Sequence, residues 1–159
     1  MPVHTERKIV SYTAEQMFDL VADIERYPEF LPWCLAARTI RRDGSTTLYE
    51  LVAGFRMVRE KFTSKVIFDR PHTIETSYVR GPMRHMRNSW RFTDLAEGGC
   101  EIEMDVDFEF RSRLMQKLIG ALFHEAVMRM VASFEARAKV VYGASGADKV
   151  EGPALAKPA

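Results

Sequence analysis

The run from Cys100 to Phe110 limits the fold more than any other stretch. Glu101, Glu103, Asp105, Asp107 and Glu109 alternate without a break with Ile102, Met104, Val106, Phe108 and Phe110. Successive side chains of a strand point to opposite faces, so this segment is a strand with one acidic face for water and one oily face that must be covered. Its expected hairpin partner is Met86 to Phe92, which places Met86, Asn88, Trp90 and Phe92 on one face and Arg87, Ser89 and Arg91 on the other. Arginine then meets acid outside, and apolar meets apolar inside.

Turn signals at Asp43-Gly44, Asp69-Arg70-Pro71, Arg80-Gly81-Pro82 and Glu97-Gly98-Gly99 divide Cys34–Phe110 into hairpin-sized runs, predicting a meander of about six strands. Ahead of it, Val3 to Ser11 reads as a further strand. Thr13 and Gln16 form a capping box that opens a short helix burying Met17, Phe18, Leu20 and Val21. Asp23 is expected to cap a second short helix ending near Tyr27-Pro28, and Tyr27 to Cys34 is a proline-stiffened aromatic connector. After Ser112, an expected N-cap, Leu114, Leu118, Leu122, Phe123, Ala126, Val127, Met130, Val131, Phe134, Ala138 and Val141 recur at helical spacing. That is one long amphipathic helix of about 45 Å, stopped by Gly143. The fold class is α+β, a curved antiparallel sheet of about seven strands around a long C-terminal helix.

At 159 residues the chain has the size of one domain. The expected division is a folded unit over 1–143 and a disordered Ala/Gly/Pro/Lys tail over 144–159. A net charge of +1 lacks the basic excess of a protein that lives on nucleic-acid phosphates. Two distant cysteines, Cys34 and Cys100, point to neither a disulfide framework nor a zinc site and fit a reducing cytoplasm. The N-terminus lacks the apolar core of a signal peptide, and no run is long enough to span a membrane. His124-Glu125 opens like a zinc-protease helix, but Met128 stands where the second histidine belongs, so no metal and no catalytic residue is assigned.

The element order resembles the START-like helix-grip fold, in which the sheet grips the final helix and leaves an apolar cavity between them. Tyr27-Pro28-Glu29-Phe30-Leu31-Pro32-Trp33-Cys34, Val52-Ala53-Gly54-Phe55 and Glu60-Lys61-Phe62-Thr63-Ser64-Lys65-Val66 are similar to segments of the coenzyme Q-binding protein family. Phe108 to Ser112 and Met130 to Ala138 extend the likeness. The bacterial ribosome-association toxins share the Tyr-Pro-x-Phe-Leu-Pro segment, whereas Trp33 and Val52 to Phe55 favour the quinone-binding branch. The resemblance implies a bound polyisoprenoid quinone such as ubiquinone, and a carrier or chaperone role in respiration rather than an enzyme.

Candidate ligand contacts follow from this reading. In the strand after Phe55, itself a candidate, Glu60, Phe62, Ser64, Val66 and Phe68 share a face. Glu60 either meets a ligand's polar head or sits at the rim paired with Arg56 or Arg59. Trp90, Phe92, Phe108 and Phe110, with Phe123, Val127, Met130 and Phe134 from the helix, either line a tunnel or pack as core. Tyr27, Phe30, Leu31 and Trp33 form either a lip at the cavity mouth or a plug at its end. Arg80 to Arg87 mixes arginine with methionine and is either a transient membrane contact, making the protein peripheral to the inner membrane, or an ordinary hairpin turn. The rival readings are an interaction protein that binds the large ribosomal subunit through Arg38, Arg41, Arg42, Arg56, Arg59, Lys61 and Lys65, and a cyclase-like enzyme using Glu60 and Tyr78.

Overall fold

The structure is a computed structural model that describes residues 3–55 and 58–143. Arg56 and the expected tail over 144–159 lie outside the described residues. The elements run β1 (Val3–Val10), α1 (Ala14–Ala22), a 3-10 turn (Ile24–Glu29), β2 (Cys34–Asp43), β3 (Thr46–Phe55), β4 (Val58–Asp69), β5 (Thr73–Arg80), β6 (Met83–Asp94), β7 (Cys100–Phe110) and α2 (Arg113–Tyr142). The seven strands form one antiparallel sheet in the order β1-β7-β6-β5-β4-β3-β2. The first strand therefore crosses the molecule to pair with the last, and the meander fills the space between them.

The two-faced β7 sets the register of its neighbours. Arg87 lies opposite Asp107 and Arg91 opposite Glu103, as the alternation requires. Glu103 is bridged from both sides, by Arg7 at 3.1 Å and Arg91 at 3.4 Å. Exposed pairs of this kind stabilise by at most about 1 kcal/mol each, so they specify register more than stability. On the other face, Ile102, Met104 and Phe108 are buried. At the β6–β7 turn Gly99 adopts φ +79°, and a Cβ there would lie 2.3 Å from the Val10 carbonyl oxygen. Only glycine fits that turn against the end of β1.

The capping box of α1 forms as expected: Gln16 N–H donates to Thr13 Oγ1 (3.1 Å) and Thr13 N–H to Gln16 Oε1 (2.9 Å). The second short helix is instead a 3-10 turn that runs through Pro28, and Asp23 does not cap it with its side chain. Its backbone, at φ −85° and ψ 69°, departs from the extended N-cap geometry, and its carboxylate faces Arg26 at 3.2 Å. Glu25 fastens the turn to β2 by accepting from Thr39 N–H (2.9 Å) and Thr39 Oγ1 (2.6 Å). These bonds hold its carboxyl below the usual carboxylate range.

Ser112 caps α2 by accepting from Met115 N–H at 3.2 Å, and Gly143 ends it at φ +95°. The C-terminal half of α2 is held in place: Val127, Val131, Phe134 and Ala138 are buried, and Tyr142 Oη donates to the Gln16 carbonyl at 2.9 Å. The N-terminal half departs from the expected continuous stripe, with Leu114 77% and Leu118 38% exposed. At 3.6 residues per turn the four-residue steps drift round the helix, so Leu114 and Leu118 lie on the side away from Val127 and Phe134. Both cysteines are buried and free. Burial pushes the Cys34 thiol up to about 11 and the Cys100 thiol up to about 12, so both stay neutral at physiological pH.

Phe134 ties the helix to the sheet, with Trp90 5.2 Å away on β6 and Tyr27 5.3 Å away on the 3-10 turn. Phe134→Ala is expected to destabilise the fold by about 3–5 kcal/mol, read as a lower urea midpoint at unchanged slope.

Candidate ligand-binding cavity

Between the sheet and α2 lies a cavity of about 290 Å³. Its floor follows from strand alternation: Phe62, Ser64 and Val66 from β4, Ile74 and Thr76 from β5, Met86, Asn88 and Trp90 from β6, and Val106, Phe108 and Phe110 from β7. Leu51 of β3 and Met83 at the start of β6 complete the sheet side. The roof is one face of α2, made of Ala126, Val127, Met130 and Phe134. Ile24, Tyr27 and Trp33 close the remaining wall. Ala126 both lines the cavity and is exposed, so the cavity reaches the surface beside the middle of α2.

Of the residues singled out in the sequence, Tyr27, Trp33, Phe62, Ser64, Trp90, Phe108, Phe110, Val127, Met130 and Phe134 line this space. Four described ones do not. Phe92 is 1% exposed and lies one rung deeper, stacked on Trp90 at 6.1 Å and edge-on to Phe18, so it is core. Leu31 is 2% exposed, held in a tight turn by its N–H bond to the Tyr27 carbonyl at 2.8 Å. Phe30 packs on Phe134 at 5.2 Å with the Arg137 guanidinium 5.0 Å above its ring, which puts it outside the cavity. Glu60 is half-buried near the start of β4, where Phe62, Ser64 and Val66 supply the wall. The side chains of Phe55 and Phe123 lie outside the described residues.

The connector from Tyr27 to Cys34 is thus a plug rather than a lip, with Trp33 its inward edge. The methionines of the β5–β6 hairpin are likewise not surface groups, since Met83 is buried and Met86 faces the cavity. Ile24, Leu51, Val66, Ile74, Thr76, Met83, Met86, Asn88, Val106 and Ala126 were not among the expected contacts. Met86 and Asn88 share the predicted inner face of β6 with Trp90 and could have been drawn from that alternation.

The lining is apolar except for a few groups. Tyr27 donates its hydroxyl to the Val21 carbonyl, and burial raises its pKa far above the tyrosine range. Asn88 is braced: its amide donates to the Asp105 carbonyl at 2.9 Å, and its oxygen accepts from Trp90 Nε1–H at 2.9 Å. That pairing satisfies the indole and fixes the Trp90 ring against the cavity.

A curved seven-stranded antiparallel sheet closed over a long C-terminal helix with an apolar chamber between them is the START-like, helix-grip architecture. The backbone superposes on a START superfamily protein of Mycobacterium smegmatis with a TM-score of 0.76 at 17% identity, covering 87% of this chain and 98% of that one. The chain belongs to the polyketide cyclase/dehydrase and lipid transport family, which matches residues 10–135. It is 35% identical to a ribosome association toxin, RatA, of Pseudomonas aeruginosa over 90% of this chain and all of that one. It is also 33% identical to a mitochondrial coenzyme Q-binding protein, COQ10 homolog B, of Xenopus laevis, over 88% of this chain and 59% of that one.

Trp33 and Trp90 are the two tryptophans of the sequence, and both line the cavity. An apolar occupant is expected to change the intrinsic emission through them, and Trp33→Phe with Trp90→Phe together should abolish that signal.

Proposed function

We propose that this protein holds the head of an apolar, ring-bearing lipid, a polyisoprenoid quinone of the ubiquinone class, and presents it to other proteins. The carrying observation is the apolar cavity, walled by aromatic and methionine side chains and open at one end. At about 290 Å³ it falls at the small end of ligand pockets, which span roughly 300–1,000 Å³. Such a space suits a ring and the first stretch of chain, so a long isoprenoid tail would leave through the opening beside α2. Burial of that ring at about 25 cal/mol per Å² is offset by the loss of its burial in lipid, which favours exchange over tight capture. The likeness to a coenzyme Q-binding protein supports the quinone in particular.

The reading is one of binding rather than catalysis. Tyr27 is the only tyrosine, acid or base among the described lining residues, and its raised pKa and bonded hydroxyl leave it no proton to exchange near neutrality. Glu60 and Tyr78, the earlier candidates for a cyclase-like reaction, lie off the wall, and Tyr78 Oη accepts from Met83 N–H at 3.0 Å. Purified protein extracted with organic solvent is expected to release a stoichiometric quinone identifiable by mass spectrometry. Ala126→Trp, at the exposed rim, should give a folded protein without it. An empty but well-folded wild type would overturn the quinone reading.

Contact with a membrane fits the same arrangement. Arg111 N–H bonds to the Pro82 carbonyl at 3.1 Å, bringing the β5–β6 hairpin beside the start of α2. Exposed Arg80, Arg84, Arg111, Arg113 and Lys117 therefore gather at this end with exposed Val79, Leu114 and Leu118. Arg84 is paired with Glu109 at 3.8 Å, and the other four cations still reach the four to eight of an anionic-lipid site, a number the hairpin alone does not reach. No helix of the described residues is long and apolar enough to cross a membrane.

A second reading, binding to the large ribosomal subunit, is favoured by the toxin relatives of 33–37% identity. Exposed Arg38, Arg41, Lys61 and Lys65 on β2 and β4 offer a basic face for it, although Arg38 is already paired with Glu50 at 2.8 Å. Sedimentation separates the two surfaces. Charge reversal of Arg80, Arg113 and Lys117 is expected to abolish pelleting with anionic vesicles, and ribosome pelleting that survives it but fails on reversal of Arg41, Lys61 and Lys65 would establish the second reading.

A further inference from the structure

Ser64 is a polar residue in the wrong place for an ordinary core. It lies on β4 in the cavity wall, is 2% exposed, and its hydroxyl has no hydrogen bond among the described residues. Burying a hydroxyl without a partner is unfavourable, and such groups are uncommon in folded interiors. Two more polar groups stand beside it. Thr76 of β5 is paired with Val66, the next inward residue after Ser64, and directly faces Asn88 across the β5–β6 ladder. Side chains directly opposite lie about 4.5–5.5 Å apart and diagonal ones about 7–8 Å, so the three form one polar strip across the sheet floor. It is flanked by Phe62 on the side of the opening and by Trp90 and Ile74 on the inner side.

The members of the strip differ in what they can still offer. Both amide hydrogens of Asn88 are engaged, one with the Asp105 carbonyl at 2.9 Å and one toward the Met104 sulfur at 3.1 Å, so Asn88 braces rather than donates. Ser64 retains a hydroxyl proton with no acceptor among its described neighbours. A hydroxyl donor at mid-depth in an apolar chamber matches a ligand that carries an oxygen acceptor on a flat ring.

We infer that Ser64, assisted by Thr76, donates a hydrogen bond to a ring carbonyl or ether oxygen of the ligand, and so orients it with its oxygenated ring at the strip and its chain toward the opening. The inference rests on the reading of the cavity as a site for a ring-bearing lipid and goes beyond it by naming the recognition group and the direction of entry. It also implies that the empty protein carries an unfavourable group for the sake of the ligand.

The test uses two probes of one carbon skeleton, 2,3-dimethyl-1,4-naphthoquinone and 2,3-dimethylnaphthalene, which differ only in the two carbonyl oxygens and neither of which adds thiols at a free ring position. Affinity is read from the indole N–H resonance of Trp90. Ser64→Ala is expected to weaken the quinone by about 3- to 10-fold, the worth of one hydrogen bond, while the hydrocarbon's affinity stays within twofold. Thr76→Val should weaken the quinone in the same selective way, by less. Without ligand, Ser64→Ala should raise the melting midpoint by about 2–4 °C, because an unpartnered buried hydroxyl has been removed. Equal losses for both probes, or no loss for either, would overturn the assignment of Ser64 and leave the apolar cavity as a binding site. Wild-type protein that binds neither probe would overturn both.

Discussion

Phe134 stands where three distant stretches of chain meet. Its ring lies within 5.2–5.3 Å of Tyr27 on the 3-10 turn, Phe30 just after it and Trp90 on β6. A helix in water gains most of its stability from the face it buries, so the position of α2 depends on this contact and on Val127, Val131 and Ala138 beside it. The plug depends on it as well, because Tyr27 has no other large aromatic partner deep in the molecule than Phe134 among its described ring contacts. Grip and plug are thus one packing event rather than two.

The cavity lies between the sheet and the same stretch of α2 that supplies the buried contacts. Toward its C-terminus α2 is pinned by packing and by the Tyr12 and Tyr142 hydroxyls, which donate to the Gly143 and Gln16 carbonyls. Along the middle of α2, from Ala126 to Phe134, the inner faces of β4 to β7 border the cavity. The fold alone does not choose what such a cavity holds. The proposed occupant rests on a few residues: two tryptophans, a polar strip, and, among the described lining residues, no acid or base other than Tyr27.

Charge is arranged as carefully as apolar surface, although the net value of +1 conceals it. On β7, Glu103 is bridged by Arg7 of β1 and Arg91 of β6, and Glu109 by Arg84 of β6. Arg80, Arg111, Arg113 and Lys117, which have no ion pair among the described residues, collect with exposed Leu114 and Leu118 near the start of α2. Basic and aliphatic groups side by side suit a lipid surface, whose headgroups are anionic and whose interior is oily. A nucleic-acid backbone would call for the charge and not for the leucines.

Much of this could be read from the amino-acid order alone. The period-two alternation of Cys100–Phe110, the capping box at Thr13, the Ser112 and Gly143 ends of α2 and the arginine–acid register of β6 with β7 are all present in the structure. Each is a local rule, decided within a few residues or by one hairpin, and the backbone has few alternatives to it. The site was read less fully, because alternation tells which side chains point inward but not what they find there. Phe92 and Trp90 share one face of one strand, yet Phe92 meets Phe18 and is core while Trp90 borders the cavity. Leu118 continues the four-residue steps that lead to Phe134, yet each such step drifts by about 40° round a helix of 3.6 residues per turn, so it ends on the far side from Val127 and is exposed. The sequence by itself determined the elements, their ends and their faces. The tertiary structure alone decided where the sheet and helix part, since that gap depends on curvature summed over seven strands and on contacts between residues a hundred positions apart.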